Sequence, residues 1–300
     1  MSKFMKLRTL AFVAILSGIA IFTACKKSSD DSGSTPGPYV SPYKLDSLFT
    51  FTDLGADFAQ RDLINPSTMD TTQWYNINNQ YYIDNRREIT WGPWPSDFGS
   101  EAGYPHNLRW QQQRIIYVAQ RYIGSYFQYH HLLQFNPPSS WPWDTINKVS
   151  LGHNSKGIDA SNFTRWLYNY GLGYHLDARL DSQYVQKEVN GYGEIPVISI
   201  VDIQKPASFD TLVKKLQIGD LIYCSQAQGS TQPYHVAIWI GKTKPSDNYY
   251  LVIDAYDGII KDLNNANIPQ GIRVRPIDAN SYYFTCMLKA RRVIQFNTMR

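Results

Sequence analysis

Hydrophobic and polar positions recur with two different periods along this 300-residue chain. After Asn107, the residues Ile115, Val118, Ala119, Tyr122, Ile123 and Tyr126 fall at helical spacing, which predicts an amphipathic helix over residues 110–126. A second helix is better marked. Asp159 is a natural N-cap, Phe163, Trp166, Leu167 and Tyr170 make one apolar face, and Gly171 is expected to end it. Later the pattern shortens to strand-length apolar runs over 220–224, 235–240, 249–255, 271–275 and 291–294, with turn-rich connections such as 242–248. Helices first and antiparallel strands afterwards make an α+β chain, not an alternating parallel one.

The amino-terminal third follows neither period. Residues 1–24 have a basic start and an apolar run over 10–22, too short and wrongly flanked for a membrane span, so they read as a signal peptide. Phe22-Thr23-Ala24-Cys25 resembles the processing box of bacterial lipoproteins, with Phe22 in place of the usual Leu. That resemblance implies lipid on Cys25 and a membrane anchor, each buried methylene contributing about 0.8 kcal/mol. Ordinary secretion with an unmodified thiol is the alternative. Residues 25–43, the lipidated Cys25 and a stretch rich in Ser, Asp, Gly and Pro, read as a flexible tether. Residues 44–106 are aromatic and broken by Asn65-Pro66, Gly92-Pro93 and Trp94-Pro95. No function follows from them, but so many rings are expected to pack against the domain at 107–300, because exposed they would promote aggregation.

Composition narrows the field. A hydrophobic fraction of 43% excludes a disordered chain, and 22 Tyr with 8 Trp suit an exported, wall-facing protein. The formal charge of +4 includes Lys3, Lys6 and Arg8 of the leader, which leaves 26 basic against 25 acidic residues. A balance near +1 gives no electrostatic case for nucleic acid. Beyond Cys25 only Cys224 and Cys286 remain; an exported protein could pair them. No Cys/His spacing resembles a zinc module, and neither metal nor cofactor is expected. His130 and His131 are adjacent, which rarely lets two rings converge on one ion, so a groove-lining place suits them better.

Three segments together resemble NlpC-type cell-wall peptidases, which are papain-like. Arg121-Tyr122-Ile123-Gly124-Ser125-Tyr126-Phe127 is similar to the helix end that precedes the active site in that family. Gly157-Ile158-Asp159-Ala160-Ser161-Asn162-Phe163 is similar to its nucleophile motif, Asp-Cys-Ser-Gly-Phe, at a helix start. Leu216-Gln217-Ile218-Gly219-Asp220-Leu221-Ile222 and His235-Val236-Ala237-Ile238-Trp239-Ile240-Gly241 resemble the two central strands that carry the histidine. The likeness spans residues 110–295 with a long insertion between Phe127 and Gly157. It implies helices packed on a central antiparallel sheet and a groove for peptidoglycan stem peptides.

The family chemistry explains the layout. A thiol at a helix N-terminus has a lowered pKa, a strand histidine takes its proton, and a third polar group orients the imidazole. The resemblance places His235 at the histidine position and Asp254 at the orienting position, with Phe127, Asp159 and Ser161 lining the substrate. Ala160 stands where the family has Cys, and a methyl group cannot attack a carbonyl. Two readings follow. One is a surface lipoprotein that binds stem peptide, or a cell-envelope partner protein, without cutting. The other is an active hydrolase, through cysteine as the natural residue at 160 or through Ser161 or Cys224.

Overall fold

The computed structural model describes residues 39–45, 107–120, 122–124, 127, 158–177, 179–191 and 197–294, together with the short strands β1 (Tyr82–Asp84) and β2 (Ile89–Trp91), which pair antiparallel. The leader, Cys25, His130 and His131 lie outside the described residues.

Helix α1 spans Leu108–Gln120 and ends six residues before its apolar pattern does. Tyr122, Ile123 and Gly124 turn instead, and Gly124, at φ 101°, donates its N–H to Ile272 O at 3.0 Å. Tyr122 still enters the core, edge-on to Trp166. The periodicity marked burial beyond the helix.

Helix α2 spans Ala160–Leu172 and starts at the Asp159 cap. It runs past Gly171, whose carbonyl accepts from Arg114 Nε on α1 at 2.9 Å, and closes at Gly173. Gly173 takes a left-handed conformation, φ 69°, and returns its N–H to Asn169 O, as a helix C-cap requires. Next come β3 (Tyr174–His175), helix α3 (Leu180–Val185), β4 (Glu188–Gly191) and β5 (Ile198–Ser199), whose strands form a small antiparallel sheet.

The main sheet has six strands. They are β6 (Val201–Gln204), β7 (Leu221–Ser225), β8 (Pro233–Gly241), β9 (Tyr250–Tyr256), β12 (Gly271–Ile277) and β13 (Met287–Arg292), in the order β12-β9-β8-β7-β13-β6. All neighbours are antiparallel. The last strand lies earlier than its apolar run suggested, since Val293 and Ile294 continue past it into the core. Strand β7 through β9 is a meander; helix α4 (Phe209–Lys215) precedes it, the hairpin β10 (Ile260–Lys261) and β11 (Asn267–Ile268) follows it, and helix α5 (Tyr282–Thr285) joins β12 to β13.

Strand alternation separates two cores. Val236, Ile238, Ile240, Leu251 and Ile253 face α1 and α2, whereas Ala237, Trp239 and Val252 share the other side with Leu212 of α4 and Tyr283 of α5. This α+β papain-like arrangement is the one expected from the sequence.

One boundary moves. Residues 39–43, placed in the tether by composition, pack on the domain: Tyr43 is buried, its hydroxyl accepts from Leu263 N, and Tyr39 donates to Asp262 Oδ2. Two phenol rings within reach of the β10–β11 hairpin outweigh the polar residues around them.

Candidate active site

The first turn of α2 is built around Asp159. Its Oδ1 accepts the Asn162 N–H at 2.9 Å and the Ser161 hydroxyl at 3.3 Å, and Asn162 Nδ2 reaches both carboxylate oxygens at 3.0 Å. Gln183 of α3 fixes the same turn from outside. Its Nε2 donates to Ser161 O at 3.2 Å, and its Oε1 accepts from Thr164 and from Tyr223 OH. Ser161 is thereby buried, with its hydroxyl committed to the cap. Ala160 and Phe127 are buried as well, both in the core beneath α1 and α2.

The second half of the site comes from the sheet. Continuing the register Ile238↔Ile253 and Trp239↔Val252 by one residue sets Asp254 against Ala237, two residues along β8 from His235. The two share a face, and His235 Nε2 lies 2.7 Å from Asp254 Oδ2 with both side chains buried. An ionised carboxylate only accepts, so in the neutral ring Nε2 carries the proton and Nδ1 does not.

Two residues that the sequence reading did not single out complete the cluster. Arg275 of β12 donates from Nε to Asp254 Oδ1 at 2.9 Å, and Tyr283 OH donates to Oδ2 at 2.6 Å. A signal existed for the first: arginines at 273 and 275 interrupt an otherwise apolar strand. Burial works to raise the Asp254 pKa, but the Arg275 charge, His235 and Tyr283 outweigh it and hold the carboxyl below its ordinary value. Burial and the Asp254 charge push the Tyr283 phenol well up, so it remains a donor. Tyr256, edge-on to His235 at 4.9 Å, and Tyr282, tilted at 6.2 Å, line the ring on its more open side.

Helix α2 packs against β8 and β9, but from the opposite sheet face to His235. The structure thus sets Ala160 and the imidazole on opposite sides of the sheet, with His235 the third residue of β8. Cys224, opposite His235 in β7, is fully buried with Sγ 3.5 Å from Tyr283 O. Burial, then Cys286 and Asp254, push its thiol well above the ordinary range, the reverse of what activates a nucleophile. Among the described residues no three His, Cys, Asp or Glu converge to hold a metal ion.

Residues 149–264 match the model of the NlpC/P60 family. The chain carries an NlpC/P60 domain. Solved structures similar to it include an NlpC/P60 family protein from Bacillus cereus ATCC 10987, at 19% identity and TM-score 0.34, over 61% of this chain and 40% of that one. Another is the NlpC/p60 domain of peptidoglycan hydrolase SagA, at 18% identity and TM-score 0.31, over 61% of this chain and 98% of that domain. This chain thus spans less than half the length of the Bacillus protein. No curated protein matches it. The NlpC/P60 match stops at residue 264, whereas the sheet continues through β12 and β13, so Arg275 and Tyr283 lie beyond the matched stretch.

Proposed function

We propose that this protein is an exported lipoprotein, anchored through Cys25 at the cell envelope, whose NlpC/P60 domain binds peptidoglycan stem peptides and, with alanine at position 160, does not cleave them. The observation that carries this reading is the intact His235–Asp254 pair, 2.7 Å apart, on a domain whose capped helix begins with Ala160. In this reading a thiol at 160 would sit at a helix N-terminus, His235 would take its proton at Nδ1, and Asp254 would hold the ring's tautomer. Phe127, Asp159 and Ser161 would shape the groove from beneath. The burial of Cys224 and the commitment of the Ser161 hydroxyl weigh against either as a replacement nucleophile.

The experiment has two arms. Purified peptidoglycan fragments should bind the protein without being cut, and Ala160→Cys should release stem peptides. Cleavage by the unaltered chain would overturn the non-catalytic reading. Absence of both binding and gained hydrolysis would overturn the substrate class.

A further inference from the structure

Asp254 is the centre of a three-strand arrangement. It stands on β9, and its two strand neighbours approach it diagonally: His235 from β8 and Arg275, paired with Val252, from β12. Helix α5 lays Tyr283 over the same face. Every oxygen is thus engaged, Oδ1 by Arg275 Nε and Oδ2 by both His235 and Tyr283. A carboxylate on a strand otherwise rotates about its Cβ–Cγ bond, and buried without donors it takes up a proton. Here two donors fix its plane with Oδ2 directed at His235.

Arg275 is itself held. Nη2 donates to Pro269 O at 3.0 Å and Gly271 O at 3.1 Å, and its guanidinium lies 5.5 Å from the Tyr256 ring centroid. Tyr256 in turn abuts His235, so the imidazole is braced on one side by the carboxylate and on another by a ring that the same arginine holds.

We propose that Arg275 and Tyr283 are positioning residues, which act through Asp254 to fix the tautomer and direction of the His235 ring. The proposal rests on the reading of His235 as the base of the proposed site. Neither residue touches the reacting atoms in that reading; each supports the acceptor.

The test uses the full chain with histidine labelled at the ring nitrogens. In the unaltered protein His235 should show a single tautomer, protonated at Nε2, with a slowly exchanging downfield proton. Tyr283→Phe keeps the ring and loses the hydroxyl; Arg275→Lys keeps the charge and loses the planar fork. Each should shift that proton and speed its exchange about ten- to a hundredfold, the range for loss of a hydrogen bond to a charged group. In an Ala160→Cys background each should lower kcat for stem-peptide release by a similar factor and leave KM unchanged. An unmoved proton in both variants, with the amide spectrum intact, would overturn the proposal, as would an active Cys variant whose kcat ignores both substitutions. A moved proton in a protein whose Cys variant cuts nothing would support the positioning role while sinking the peptidase reading, so the two failures are distinguishable.

Discussion

His235 of β8 reaches Asp254 of β9 diagonally, with Nε2 2.7 Å from Oδ2. Arg275 reaches the same carboxylate diagonally from β12, two residues along from Arg273, the residue paired with Asp254.

Restoring sulfur is the most direct consequence to examine. Removal of a nucleophile commonly costs about 10^4-fold or more in rate. Ala160→Cys should therefore raise stem-peptide release from background to a weak but measurable level, and adding His235→Ala should abolish it. Chromatography of products from purified peptidoglycan reads the outcome.

Thiol chemistry distinguishes the other nucleophile. Cys224 and Cys286 are both buried, and the Cys224 thiol is pushed well up. An aromatic disulfide reagent should leave both unmodified in the folded domain and label both in denaturant. Cys224→Ala should not reduce whatever activity the Ala160→Cys protein gains.

Asp254 should govern acid stability. Folding lowers its pKa below the ordinary 3.8, so it contributes stability that is fully present above that value and lost as pH falls through the folded one. Denaturant titrations of the wild type should show this acid loss, and Asp254→Asn should flatten it. At neutral pH Asp254→Ala leaves the buried Arg275 charge uncompensated, at a cost of about 3–5 kcal/mol.

The turn before β7 offers a backbone test. Gly219 has φ 96°, its carbonyl accepts from Tyr168 OH, and a Cβ there would sit 2.7 Å from Ile294 Cδ1. Gly219→Ala should lower stability by roughly 1–2 kcal/mol from the left-handed backbone alone. Ile294 can swing aside, so Ile294→Ala should not rescue the variant.

For anchoring, Cys25→Ala should move the protein from the membrane fraction to the soluble one after export. Wild-type protein found wholly soluble would remove the lipid from the proposed function.

Much of this architecture was legible in the residues. The Asp159 cap and the strand sequence around His235 are local, and local spacing reads them. What periodicity could not show was where apolar residues stop being helical: Tyr122 is buried like a helix-face residue, yet the backbone bends at Gly124 to bond Ile272. Arg275 and Tyr283 were harder still. Their importance comes from converging on one carboxylate from sequence distances of 21 and 29 residues; the arginines in an apolar strand mark the first as unusual, but not where it reaches, and nothing marks the second. The same holds for Gln183, which looks like a polar helix residue until its amide is seen to join α2 to β7.

With the lipid on Cys25 proposed above, the docking of Tyr39 and Tyr43 on the β10–β11 hairpin would set a leash length. A chain attached at Cys25 and free until residue 107 would let the domain roam across 82 residues of slack. Held at Tyr39, an anchored domain would have at most 14 residues between lipid and docking point, a fully extended span of roughly 50 Å. Such a domain would then patrol a shallow layer next to its membrane and could meet only those wall strands that come within its reach.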